Sequence, residues 1–265
     1  MTSWAELLAY HPHPEVWALV AGLVGLYAAA LRRHRHRTGR PVPRRHVAHF
    51  LVGLALVWVA LDWPIDDLSD NSLLSVHMVQ YLLLAMLAPL PLLRGLPAWM
   101  IARGLGPCWL RGLVRMLARP WNAWLVVSTV VVVSHLDPVV TLYLRHDLVH
   151  LAMHALWIGT GLVLWWPVVQ PLPSLPRYGP PVQIGYLFLQ SLIPIVPAAY
   201  LTFAAAPVFA AYAALPKPPG IDPVTDQQIA GVVMKLGGTA ILWSAIAVIF
   251  FRWAADPERE RAAGT

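Results

Sequence analysis

Charge is scarce in this chain, and so is cysteine. Asp, Glu, Lys and Arg make up 12% of the 265 residues, while 58% are hydrophobic and the mean hydropathy is +0.60. A soluble domain carries about 25% charged residues, so an ordinary soluble domain is excluded. The charges that are present gather between long apolar runs, the pattern of a polytopic membrane protein. Cys108 stands alone, which excludes an internal disulfide and any paired-cysteine metal motif. A metal site would have to draw on His, Met, Asp or water. Also missing are a glycine-rich phosphate loop, paired carboxylates and a nucleophile beside a base, so no enzymatic activity is expected. No repeat, coiled coil or appended soluble domain is visible. The net charge of +6 lies mostly in Arg of short loops. It bears on membrane orientation and lipid contact, and nucleic acid is not an expected partner.

What is present predicts an all-α integral membrane protein, one domain over residues 1–265. Its seven transmembrane helices fall at about 16–31, 47–63, 73–93, 121–135, 147–169, 182–206 and 228–251. The His-Pro-His-Pro lead at 11–14 reads as a turn. Basic residues follow the first run instead of preceding it, which argues against a cleaved signal peptide. Arg recurs through 32–46, whereas Asp62, Asp66, Asp67 and Asp70 stand in a connection without Lys or Arg. By the positive-inside rule the first connection is cytoplasmic and the second outside. Arg111, Arg115 and Arg119 form one stripe and Leu110, Leu113, Val114 and Leu117 another, as in a helix lying on the inner surface. Pro89 and Pro91 weaken the inner end of the third run, and Pro194 and Pro197 break the sixth. Trp165 and Trp166 read as an aromatic belt at the inner face. The alternation puts the N-terminus outside and the tail after Arg252 in the cytoplasm.

The most informative stretch is 145–157, RHDLVHLAMHALW. His146, His150 and His154 are four residues apart and so lie along one helix face. Ionisable residues inside an apolar span are costly unless they meet polar partners, protons or a metal. The predicted topology puts His77 about one turn inside the outer surface, His150 at similar depth and His154 one turn deeper. His135 and His146 mark outer helix ends, and Asp226 opens the last span from the same side. Neutral imidazole suits copper, zinc, iron and nickel, and thioether sulfur adds a preference for Cu(I). The candidate metal ligands are therefore His77, His135, His146, His150, His154 and Asp226, with Met78, Met153 and Met234 as soft candidates. Methionine is also ordinary core filler.

Four segments carry a family resemblance: HMVQYLLLAMLAPLPLLRGLP from His77, SHLDPVVTLYLRHDLVHLAMH from Ser134, GLVLWWPV from Gly161 and DQQIAGVVMKLGG from Asp226. In this order they resemble the CtaG-type, or caa-type, cytochrome c oxidase assembly factors of bacteria. The resemblance implies a multi-pass protein of the bacterial inner membrane that matures haem–copper oxidase. It further implies copper as the cofactor handled, an oxidase subunit as partner and a periplasmic copper chaperone as a further partner. Tyr81 stands where family members often carry a second histidine, Met153 where an acidic residue is frequent, and Lys235 where an aromatic one is.

Two other classes share some of these features. A copper or proton transporter of the inner membrane is the alternative, but the acidic residues stay near the outer ends and no ligands continue a path inward. A lysine in the last span, Lys235, also suits a retinal pigment. The run 73–93 holds no Asp or Glu to serve as counter-ion, which argues against it. Lys235 is instead expected to snorkel outward or to pair with Asp226.

Overall fold

Lipid offers no partner to a backbone N–H or C=O, so apolar runs that cross it must close their hydrogen bonds internally. The computed structural model describes residues 3–255, and its regular elements among those residues are all helical. In order they are α1 (Trp4–Leu7), α2 (Pro14–Thr38), α3 (Arg44–Leu61), α4 (Ile65–Asn71) and α5 (Leu74–Leu82). A π-helical turn (Leu83–Leu87) leads into α6 (Pro89–Gly95), followed by α7 (Ala98–Gly104), α8 (Cys108–Leu117), α9 (Pro120–Ser134) and α10 (Asp137–Arg145). The remainder are α11 (Asp147–Val169), α12 (Pro180–Gln190), α13 (Ile195–Phe203), α14 (Ala210–Ala213) and α15 (Pro223–Ala254). The tail expected in the cytoplasm lies, beyond Ala255, outside the described residues.

Six helical stretches are long and apolar enough to cross a membrane: α2, α3, α5 through α6, α11, α12 through α13, and α15. A seventh crossing, expected at 121–135, depends on counting α8 and α9 together, and these meet at 87°. The 15 residues of α9 reach only about 22 Å at 1.5 Å per residue, short of a hydrocarbon core of about 30 Å. The right angle agrees with an α8 that lies along the surface, its leucines and arginines on separate faces.

The third span is the hub. In its most apolar window 61% of residues are buried, against 6% for α2, and it packs on α3, α11 and α15. Its π-helical turn follows from Pro89 and Pro91, which carry no N–H to give to the preceding turn. Trp165 Nε1 compensates by donating to the carbonyl of Met86 at 2.6 Å. Trp165 is 1% exposed, which corrects the reading of it as a belt residue: its indole serves the backbone of a neighbouring helix. Close approach there needs glycine. A Cβ on Gly161 of α11 would collide with the carbonyl of Ala85 and the ring of Pro89, and one on Gly231 of α15 with the α13 backbone near Ala198. Small residues of this kind let membrane helices pack without a hydrophobic drive.

The sixth span breaks between Gln190 and Ile195, as its prolines predict. Tyr186 donates to the carbonyl of Leu164 at 2.9 Å and receives Gln190 Nε2 at 2.9 Å, which ties α12 to α11.

The polar connections gather at two ends. One, the acidic end, holds α4, α10, α14 and the starts of α2, α5, α11 and α15. The other, the basic end, holds the Arg-rich link between α2 and α3, together with α7 and α8.

Candidate functional site

The acidic end is built by α4, which the sequence presents only as a loop of aspartates. Gln80 on α5, fully buried, reaches across to it. Its Nε2 donates to Asp66 Oδ1 at 2.7 Å and to the carbonyl of Ala60 at 3.0 Å, and its Oε1 accepts from Ser69 at 3.0 Å. Three elements are thereby fixed around one amide. Burial pushes the carboxyls of Asp66 and Asp70 up to about 7 each, from an ordinary 3.8. Repulsion from Asp70 adds to the effect at Asp66, and Asp67 adds to it at Asp70.

Above α4 lies the histidine helix. His150 Nε2 and His154 Nε2 are 3.1 Å apart, and Asp70 Oδ1 is 3.3 Å from the same His150 nitrogen. The i, i+4 spacing makes the first contact, and the α3–α5 connection supplies the second. His77 on α5 is 1% exposed and hydrogen-bonds Tyr143 of α10 through Nε2 at 3.0 Å. Its other nitrogen, Nδ1, is buried without a partner among the described residues, as is Trp157 Nε1.

Aromatic rings join these groups into one wall. Tyr143 stacks on His77 at 5.4 Å between centroids and meets His150 edge-on at 5.6 Å. Trp157 touches His77 at 5.2 Å, His154 at 5.5 Å and Tyr81 at 5.4 Å. Tyr212 of α14 lies 5.5 Å from His77 and donates to the Ser69 carbonyl at 3.0 Å. Tyr81, in the position where a family histidine is frequent, instead faces His135 edge-on at 5.6 Å.

The expected ligands separate into groups. His77, His150 and His154 come together around Tyr143 and Trp157. His135 caps α9, with Nδ1 held 2.7 Å from the Val131 carbonyl and Nε2 buried without a partner among the described residues. Among the described residues its ring contact with the wall is to Tyr81. His146 is the exposed N-cap of α11 and turns away from the stripe, because its backbone is already extended. Asp226 is buried, but its oxygens accept from the N–H groups of Leu74 and Ser75 at 2.9 and 3.0 Å, and from Lys217 Nζ at 2.9 Å. It caps α5 at long range, and its cation is Lys217 of the loop instead of Lys235. Met78, Met153 and Met234 all lie in the apolar core. No group of three or more His, Cys, Asp or Glu residues that could hold a metal ion occurs among the described residues.

Sequence reasoning missed Asp70, Tyr143, Trp157 and Tyr212. Tyr143 and Trp157 lie within the stretches quoted above, yet an aromatic in an apolar run carries no signal of what its ring touches.

A hub span ringed by apolar helices, with a polar cluster at one end, defines a multi-pass membrane protein. A family model, the cytochrome c oxidase caa3 assembly factor (Caa3_CtaG), matches residues 25–256, and the chain belongs to that family. Membership makes it an assembly factor associated with cytochrome c oxidase. No curated protein and no solved structure matches the chain.

Proposed function

We propose that this assembly factor carries copper to the oxidase at its acidic end. In this reading that end faces outward from the inner membrane of a bacterium, with the N-terminus outside and the C-terminus in the cytoplasm. The observation that carries the reading is the pair His150 and His154, whose Nε2 atoms lie 3.1 Å apart beside Asp70. Metal–nitrogen bonds of about 2.0–2.1 Å at a tetrahedral angle put two ligand nitrogens roughly 3.3 Å apart. The pair therefore has nearly the right spacing for one ion, which takes the place of the proton between the rings. Imidazole nitrogen is a suitable donor for copper.

An open ligand set suits transfer. Two histidines leave positions that a recipient oxidase subunit can fill, so the ion passes by ligand exchange without a change in its oxidation state. His77 and the aromatic wall behind the pair exclude water from its inner side. A periplasmic copper chaperone would supply the ion from the open side.

The test is a strain lacking the native gene and carrying His150→Ala with His154→Ala, with oxidase activity and copper content measured at matched expression. The variant is expected to insert and to leave the oxidase inactive and copper-poor, with His11→Ala and His13→Ala silent. Full oxidase activity in the double variant would end the copper reading. Reporter fusions after Leu31 and Phe251 are both expected to report cytoplasm, and an extracytoplasmic signal at either would overturn the orientation.

A further inference from the structure

The basic end holds a second feature, apart from the histidine cluster. Between α6, α11 and α15 runs an apolar groove of about 470 Å³, walled by Leu90, Trp165, Ile241 and Val248 and closed at one end by Arg94 and Arg252. Its volume falls in the range of about 300–1,000 Å³ typical of small-ligand sites. Along α15 it extends from Ala240 to Arg252, a rise of roughly 18 Å. One leaflet of hydrocarbon is about 15 Å deep, half of a 30 Å core. The groove thus has the length of a lipid tail and ends where a headgroup would lie.

The two arginines give the occupant its charge. Neither guanidinium has an acidic partner among the described residues, although both face the same groove. Two like charges side by side at a membrane surface favour an anion between them, and guanidinium matches phosphate in a bidentate fashion. Basic pockets between membrane helices are a known mode of anionic headgroup binding.

We propose that this groove binds one anionic phospholipid, with a tail along α15 and the phosphate between Arg94 and Arg252. The lipid would complete the packing of α15 against α6 and α11 at the basic end, where neither protein helix fills the gap. The site is separate from the histidine cluster and does not rest on the copper reading.

The full chain, in nanodiscs of phosphatidylcholine with a minor share of phosphatidylglycerol, would be released into native mass spectrometry and its retained lipid identified. Wild type is expected to retain one phosphatidylglycerol, enriched over its share of the bilayer by on the order of tenfold or more, since each basic residue near an anionic surface contributes appreciably. Arg94→Gln with Arg252→Gln is expected to abolish the enrichment, while Arg111→Gln with Arg115→Gln on α8 leaves it intact. Ser244→Trp fills the groove without touching its charge and is expected to abolish retention too. This second variant keeps the test valid if the double arginine variant does not fold. Equal retention of both lipids by wild type would overturn the proposal. So would enrichment that survives either groove variant, or that appears only after the chain is ended at Ala255, since carboxylates of the tail would then be the natural occupants.

Discussion

His150 Nε2 lies 3.3 Å from Asp70 Oδ1, a contact between a membrane-spanning helix and a seven-residue helix that covers its end. Asp70 is held in turn by Ser69 Oγ, which donates to its Oδ1 at 2.9 Å. A carboxylate beside the nitrogen that would face the ion places negative charge next to the proposed copper position. Asp70→Asn removes that charge and is therefore expected to weaken copper binding by up to about fivefold, the weight of a partly screened charge interaction, while the protein stays folded. Competition with a chromophoric chelator measures it, and unchanged affinity would mean that Asp70 has no part in metal binding.

A second prediction concerns packing. Gly161 faces the Ala85 carbonyl and Pro89, whereas a Cβ on Gly159, half a turn away, meets nothing within 4 Å. Gly161→Ala would push α11 off the hub span, and overpacking of this kind costs typically 1–3 kcal/mol. Gly159→Ala only removes backbone freedom and is expected to be neutral or stabilising by up to about 1 kcal/mol. Thermal melts of detergent-solubilised protein compare the two. Equal melting temperatures would show that the helices separate without penalty.

Much of the scaffold was legible in the sequence, and the reason is physical. A crossing helix must be long and apolar, its prolines announce their breaks, and basic loops mark one side; α3, α5, α11, α12 and α15 appear where these rules put them. The crossing at α9 is less legible: its 15 residues are short for a span, and only the structure shows that α8 meets it at 87° instead of extending it. Of the site, the stripe of His150 and His154 follows from helical spacing alone. The contribution of Asp70 does not, because α4 is seven residues long and reads as an acidic loop. Asp226 looked like a ligand for the same reason that it is buried: a carboxylate at a membrane helix start needs a partner. Its partners turned out to be two N–H groups and Lys217, all from distant segments.

The third prediction is a pH dependence. The carboxyl of Asp66, pushed up to about 7 by burial and by Asp70, holds a proton in the folded state that the unfolded chain has released above 3.8. Folding then takes up a proton, and stability falls as pH rises from about 4 to about 7. Asp70 acts in the same direction. At His13, burial alone would lower the imidazole, but its bonds to Asp67 and Glu15 outweigh that and raise it above 6.5. Its contribution is complete below 6.5 and is lost as pH rises through the higher folded value. Asp66→Asn is expected to reduce the slope of melting temperature between pH 4.5 and 7, with the contribution of Asp70 remaining, and to leave the part above it. A slope unchanged in the variant would place the titration elsewhere.

The last prediction separates structure from metal binding at Asp226. Its carboxylate meets Lys217 Nζ at 2.9 Å with both groups shielded from solvent, and it caps α5, the helix that carries His77. Lys217 also donates to the carbonyl of Ser72, so the pair binds the loop before α15 to the start of the hub span. Breaking a buried pair by removing one partner costs about 3–5 kcal/mol, because the other charge is left uncompensated. Asp226→Asn and Lys217→Met are each expected to lower the melting temperature sharply. The double variant is expected to recover part of the loss, since no lone charge remains, though the cap on Leu74 and Ser75 is weakened. Copper affinity of whatever fraction stays folded is expected to match wild type in all three. If Asp226 were a ligand, Asp226→Asn would lower that affinity and Lys217→Met would not, and the double variant would recover stability without recovering copper. Thermal melts and chelator competition on the same preparations distinguish the two patterns.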